Sequence, residues 1–70
     1  MKICKVCEQG RIMKAKIKKN NKVIYVCEEC DSIWEKEDLT DYLEIGFGEY
    51  MEKLQLKGLW SELIEVEELN

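Results

Sequence analysis

Two closely spaced pairs of cysteines constrain the fold of this chain more than any other feature. Two residues separate Cys4 from Cys7, nineteen residues follow, and Cys27 and Cys30 repeat the first spacing. Two cysteines three positions apart can direct both sulfurs at one ion, and a hairpin between the pairs would bring them together. Four thiolates can then complete a tetrahedron around Zn²⁺ with no coordination position left open. The spacing therefore predicts a structural zinc site formed by Cys4, Cys7, Cys27 and Cys30.

A bound metal ion would also supply stability that a chain of 70 residues needs. A domain of about 60 residues buries only about 60% of the surface that its unfolded chain exposes. Structural zinc contributes roughly 10–16 kcal/mol in zinc-finger peptides, and this binding energy counts as folding energy.

Disulfides and iron are the alternative uses of the four cysteines. Two disulfides would require an oxidising compartment, whereas Met1–Lys5 lacks the apolar stretch of a secretory signal. No apolar run approaches the ~18 residues that a membrane span needs, so we expect a cytoplasmic protein with reduced cysteines. Iron is also held by four cysteines, and geometry alone rarely separates the two metals. Zinc is the expected ion and iron the alternative.

The residues between the cysteine pairs have the pattern of a β-hairpin. Apolar and basic residues alternate over residues 11–18, which predicts a half-buried strand. The β-branched and aromatic run Val23–Cys27 predicts a second strand, and residues 31–35 predict a short third one.

The turn of this hairpin is predicted at Asn20–Asn21, because Asn tolerates a positive φ and suits a two-residue turn. Such a turn pairs Ile17 with Ile24 and Ala15 with Val26.

The second half of the chain has a helical pattern. An amphipathic helix is predicted by the spacing of Phe47, Tyr50, Met51 and Leu54. Asp41 and Glu44 have the spacing of a capping box, which indicates a helix start, and Lys57–Gly58 is typical of a helix end. Residues 63–69 fit either a short helix or a strand.

The cysteine-bearing half resembles a zinc ribbon. The resemblance lies in Cys4–Cys7, a β-hairpin, Val26–Cys30 and then Trp34, and it covers residues 3–37. Zinc ribbons carry two metal-binding turns, called knuckles, at one end of a three-stranded sheet.

The resemblance also implies roles for residues beside the knuckles. Tyr25 and Trp34 occupy positions where zinc ribbons often place core aromatic residues. Ribbons often have glycine directly after the second cysteine of each knuckle, for a positive φ, whereas this chain has Glu8 and Asp31 there.

These observations together predict a single α+β domain. Residues 1–37 form a small zinc ribbon, with a β-hairpin and a third strand. Residues 38–70 form an acidic, helical C-terminal segment that packs on it.

Charge is divided unevenly along the chain. Residues 1–30 carry eight Lys or Arg and three Asp or Glu. Residues 31–70 carry three Lys or Arg and twelve Asp or Glu. An acidic surface favours a basic protein partner, because opposite fields speed encounter and exclude wrong partners. In size and acidity the chain is similar to small bacterial immunity and antitoxin proteins, which implies a non-enzymatic inhibitor of a toxin, of nuclease type. The residues expected to face that toxin are Asp38, Asp41, Glu44, Glu49 and Glu52.

The alternative function is nucleic-acid binding in transcription or RNA processing, where zinc ribbons often contact phosphates through basic strands. The residues that would do so are Lys14, Lys16, Lys18, Lys19 and Lys22. A net charge of −4 argues against general DNA binding. The chain has no histidine and no phosphate-binding glycine pattern, so we expect neither an enzyme nor a small-molecule substrate. Because it has no long apolar run, we also expect no membrane partner.

Overall fold

The chain forms a five-stranded antiparallel sheet with an α-helix against one face, an α+β arrangement. A computed structural model describes residues 2–40 and 42–69. The elements in chain order are β1 (Ile12–Ile17), β2 (Val23–Cys27), β3 (Ser32–Trp34), β4 (Tyr42–Gly46), α1 (Phe47–Lys53), a 3₁₀ turn (Trp60–Glu62) and β5 (Leu63–Glu68). The strand order is β4-β3-β2-β1-β5, so the C-terminal half adds one strand to each side of the predicted three-stranded sheet. Within the described residues, no helix has the length and apolar character needed to cross a membrane.

The predicted hairpin strands are confirmed, but their predicted register is wrong by two residues. Ala15 pairs with Ile24 rather than with Val26. The connecting turn has four residues instead of two, and the N–H of Asn21 closes it by donating to the carbonyl oxygen of Ile17 at 2.8 Å. Asn21 supplies the left-handed residue, with φ of 59°. Because the slip is two residues, every side chain stays on its predicted face.

The helix start predicted at Asp41 and Glu44 is wrong where it can be examined. Asp41 lies outside the described residues, and Glu44 lies in strand β4, which pairs with β3. Exposed and half-buried residues alternate along Tyr42–Gly46, the period of a strand. Helix α1 instead begins after Gly46, which is extended and provides no side-chain cap.

Helix α1 contains three of the four predicted apolar positions but ends before the predicted stop at Lys57–Gly58. Gln55 follows the helix in the left-handed conformation, with φ of 61°. Its N–H donates to the carbonyl of Glu52, and the N–H of Leu56 donates to the carbonyl of Met51, both at 2.9 Å. This pair of bonds is a Schellman cap.

Residues 63–68 form strand β5, which settles the choice between helix and strand. Lys16 pairs with Ile64 and Lys14 pairs with Glu67, with a bulge between the two pairs. Glu65 lies in the bulge with φ of 53°. The prediction of a helical C-terminal segment therefore holds for α1 and the 3₁₀ turn but not for β4 or β5.

The sheet buries apolar residues on both faces. The first face packs on α1, and its buried residues are Ala15, Ile17, Ile24, Val26, Ile33, Phe47, Tyr50, Met51 and Leu63. The second face carries the cysteines, and its buried residues are Cys4, Ile12, Tyr25, Cys27, Trp34 and Leu69. We refer to the second as the cysteine face.

Candidate metal centre

The two cysteine pairs lie next to each other at one end of the sheet. Cys4 and Cys7 lie in the loop before β1, Cys27 ends β2, and Cys30 lies in the turn that leads to β3. The hairpin between the pairs brings the loops together, as the spacing predicts.

The four sulfur atoms form one cluster. All four Sγ atoms lie within 4.8 Å of one another. The Sγ atoms of Cys4 and Cys30 are 3.7 Å apart, and those of Cys7 and Cys27 are 3.6 Å apart. A tetrahedron with metal–sulfur bonds of ~2.3 Å has sulfur–sulfur edges of about 3.8 Å. All four cysteines are free thiols, so the cluster could hold a metal ion.

Backbone N–H groups point at three of the four sulfurs. Cys4 Sγ and Cys7 Sγ each accept one such hydrogen bond and Cys27 Sγ accepts two, at 3.3–3.4 Å. The donors are the N–H groups of Val6, Gly10, Glu29 and Cys30. Hydrogen bonds to a sulfur favour the thiolate over the thiol, and the thiolate is the form that binds metal.

The same surroundings separate the pKa values of the thiols. The N–H groups of Gly10 and Gln9 lower the pKa of Cys7 to about 6. Burial raises the pKa of Cys27 to about 12 and also raises the pKa of Cys4. Burial thus favours the thiol form of Cys4 and Cys27, and a metal ion in the centre would act in the opposite direction, since a coordinating metal deprotonates its thiol ligands.

Each knuckle turns through a residue in the left-handed conformation. Glu8 follows Cys7 with φ of 59°, and Asp31 follows Cys30 with φ of 61°. These are the positions at which the resemblance to zinc ribbons implies a positive φ. The chain reaches that backbone geometry without glycine, at a cost of about 1–2 kcal/mol for a residue with a Cβ.

Gly10 is a site residue that the sequence prediction missed. A Cβ built on Gly10 would overlap the Sγ of Cys27 and would lie 2.8 Å from the Cβ of Glu29. Its φ is not positive, so the close approach of Cys27, rather than the backbone conformation, requires glycine. A glycine just after the first knuckle was the available signal.

The predicted core aromatic residues do lie beside the sulfur cluster. Tyr25 is 7% exposed and Trp34 is 4% exposed, and both pack with Cys4 and Cys27 on the cysteine face. Leu69 joins them from the far end of the chain. This apolar shell limits the access of water to the buried sulfurs.

The structure places the predicted toxin-facing residues on several elements. Asp38 lies in the loop before β4, where its carboxylate accepts hydrogen bonds from the hydroxyl and N–H of Thr40, which lower the pKa of Asp38. Glu44 lies on β4, and Glu49 and Glu52 lie on α1, where they line one shallow pocket. Asp38 lines a different pocket, and Asp41 lies outside the described residues.

Glu44, Glu49 and Glu52 share one electrostatic property. All three are exposed, and none of them forms an ion pair within residues 2–40 and 42–69. Their charge faces solvent.

The cations of the N-terminal half behave differently. Lys16 forms an ion pair with Glu65 at 3.0 Å, and Lys22 forms one with Glu35. Lys14 lies directly opposite Glu67 in the sheet. Lys18 and Lys19 are exposed in the hairpin turn.

Arg11 connects the knuckle region to β5. Its guanidinium forms ion pairs with Glu28 at 2.5 Å and with Glu68 at 3.4 Å. Three of the described ion pairs thus join the basic half of the chain to the acidic half.

Comparison with known proteins gave no relative for this chain: no family model, curated protein or solved structure matches it.

Proposed function

We propose that the protein is a zinc-ribbon-like module in which Cys4, Cys7, Cys27 and Cys30 bind one structural Zn²⁺. The supporting observation is the cluster of four Sγ atoms within 4.8 Å, contributed by two loops that are distant in sequence. A four-sulfur tetrahedron leaves no position for water or substrate, so the ion stabilises the fold and performs no chemistry.

Zinc is proposed over iron because the ion is proposed to have a purely structural role. Zn²⁺ has a filled d shell and no redox chemistry, whereas iron in a four-sulfur site is a redox centre. The visible absorption of the purified protein separates the two ions, because the zinc form is colourless. A coloured protein with a reversible redox wave would replace this proposal with an electron carrier.

On this platform we propose a non-enzymatic binding function directed at a basic protein. The binding surface comprises Asp38, Asp41, Glu44, Glu49 and Glu52. The support comes from Glu44, Glu49 and Glu52, whose carboxylates are exposed and have no intramolecular cation among the described residues. A nuclease-type toxin is the proposed partner class, because a nuclease needs a basic groove that an acidic protein can occupy.

The ion pairs support this function over nucleic-acid binding. Lys16 and Lys22 already have carboxylate partners, so phosphate would have to compete with those carboxylates. Phosphate contacts must release counterions to contribute affinity, and a lysine that is already paired releases fewer.

The test compares two variants that each neutralise three charged side chains. One carries Glu44→Gln, Glu49→Gln and Glu52→Gln, and the control carries Lys14→Gln, Lys18→Gln and Lys19→Gln. Both are used as bait in extracts of the source cell after nuclease treatment, and the captured protein is purified and assayed for nuclease activity.

We expect wild type and the lysine variant to capture and inhibit a basic nuclease, and the acidic-surface variant to lose both properties. Capture of ribosome or polymerase components alone, or capture that depends on the lysines, would contradict the proposed partner.

A further inference from the structure

Cys30 differs from the other three cysteines in its hydrogen bonding. Among the described residues, no backbone N–H donates to Cys30 Sγ, whereas each of the other sulfurs accepts at least one. The hydroxyl oxygen of Ser32 lies 3.0 Å from Cys30 Sγ instead.

The start of β3 explains this difference. In the first knuckle, Cys7 accepts from the N–H of Gly10, three residues later. The corresponding residue after Cys30 is Ile33, which lies inside β3 and pairs with strands on both sides. The backbone of Ile33 is therefore engaged in the sheet, and its N–H does not donate to Cys30 Sγ. The donor beside Cys30 comes from a side chain instead.

The surroundings of Ser32 fix the direction of the bond. Ser32 is 4% exposed, and within the described residues Cys30 Sγ is the only hydrogen-bond partner of its hydroxyl. A metal-bound thiolate has no proton and can only accept, so the serine hydroxyl must donate. A buried hydroxyl without a partner is destabilising, which opposes any rearrangement that breaks this contact.

We propose that Ser32 is a positioning residue of the metal centre, whose hydroxyl donates to the Cys30 thiolate, orients it and strengthens metal binding. This inference rests on the proposed zinc site. Groups that hydrogen-bond to metal ligands typically change metal affinity by 10–100-fold when they are removed, and we expect a loss of about 10-fold at Ser32.

The hydrogen bond should also have a spectroscopic signature. It stabilises the sulfur electron pairs, so removing it should shift the sulfur-to-metal charge-transfer band of the Co²⁺-substituted protein to lower energy. A change in packing alone, with the four sulfurs still bound to the metal, would not shift the band to lower energy in the variant that lacks the hydroxyl and leave it in place in the variant that keeps it.

The experiment uses two substitutions of nearly equal shape, Ser32→Val and Ser32→Thr, of which only Thr retains the hydroxyl. Zn²⁺ affinity is measured by competition with a chelator, and the Co²⁺ spectrum is recorded for each variant. Ser61→Ala is the control, because Ser61 is exposed in the 3₁₀ turn away from the cysteines. Comparing Val with Thr removes any shared effect of the added methyl group on folding.

We expect Val to weaken Zn²⁺ binding about 10-fold relative to Thr and to shift the Co²⁺ band to lower energy, with Ser61→Ala unchanged. Equal affinity and equal spectra for Val and Thr would overturn the role of Ser32 while leaving the zinc site intact. Failure of the wild-type protein to bind Zn²⁺ would instead overturn the zinc site itself.

Discussion

Substitution of Gly10 by Ala is the perturbation that tests the geometry of the metal centre most sharply. The added Cβ would overlap Cys27 Sγ and would lie 2.8 Å from Cβ and Cγ of Glu29. Glu29 is exposed and can move aside, but Cys27 is fully buried and sits at the end of β2. The strain must therefore displace Cys27 Sγ or the loop that carries Gly10.

The expected magnitude follows from the cost of overpacking a buried site, which is typically about 1–3 kcal/mol. If zinc binding supplies the folding energy, this cost is expressed as lost zinc affinity. A central value of about 2 kcal/mol corresponds to about 30-fold weaker binding, because each 1.4 kcal/mol is a factor of ten.

Chelator competition for Zn²⁺ and thermal melting of the zinc-loaded protein measure this loss. Gly48→Ala is the matched control, because a Cβ at Gly48 meets no atom within 4 Å and its φ is not positive, so Ala fits there without strain. Wild-type zinc affinity in the Gly10→Ala protein would refute the reasoning, because Cys27 Sγ could not then occupy the position described here.

Three further predictions concern the loops and the pH dependence. Gly58→Ala should lower the Tm by a destabilisation of about 1–3 kcal/mol, because its Cβ would lie 2.8 Å from the Cα of Gly48 in α1; an unchanged Tm would show that the backbone at Gly58 does not touch the start of α1. Glu8→Gly should stabilise the zinc-loaded protein by up to about 1 kcal/mol, because glycine relieves the strain of a φ of 59°. Gln9→Gly, at a position without positive φ, should destabilise the protein in the same denaturant titration. A Gln9→Gly protein more stable than the Glu8→Gly protein would contradict the knuckle geometry. At fixed free Zn²⁺ the Tm should rise with pH below the ordinary thiol pKa of ~8.5, because the unfolded chain binds protons on thiols that the zinc-bound protein holds as thiolates. Each such thiol adds up to about 1.4 kcal/mol of stability per pH unit. A Tm independent of pH between about 6 and 8 would be inconsistent with thiolate ligands.

The hairpin shows which part of the fold local sequence determines. Alternation of Met13, Ala15 and Ile17 with lysines fixes the face of each residue, and the structure confirms those faces. The register was mispredicted because Asn20–Asn21 fits a two-residue and a four-residue turn alike. A slip of two residues leaves the buried face unchanged, so the apolar pattern cannot detect it.

The C-terminal half was less predictable because its strands depend on partners that are distant in sequence. Exposed and half-buried residues alternate along residues 42–46, as in a strand, but the same residues contain part of a capping-box spacing, which favours a helix start. The unpaired edge of β3 decides between the two, because it offers these residues a strand to pair with. Residues 63–68 are locally ambiguous, and pairing with β1 decides for a strand.

The site was predictable to the extent that it depends on spacing. Four cysteines in two pairs predicted the cluster that the structure contains. The roles of Gly10 and Ser32 arise only when Cys27 and the start of β3 are placed in three dimensions. The contribution of Glu44, Glu49 and Glu52 to partner binding stays a prediction.

We propose that one zinc ion, held by four thiolates, stabilises this fold. Elemental analysis of protein purified under reducing conditions without added metal tests it most directly. We expect one zinc per chain, released when the four thiols are modified by a mercurial reagent. A protein that contains no stoichiometric metal yet melts cooperatively would contradict it.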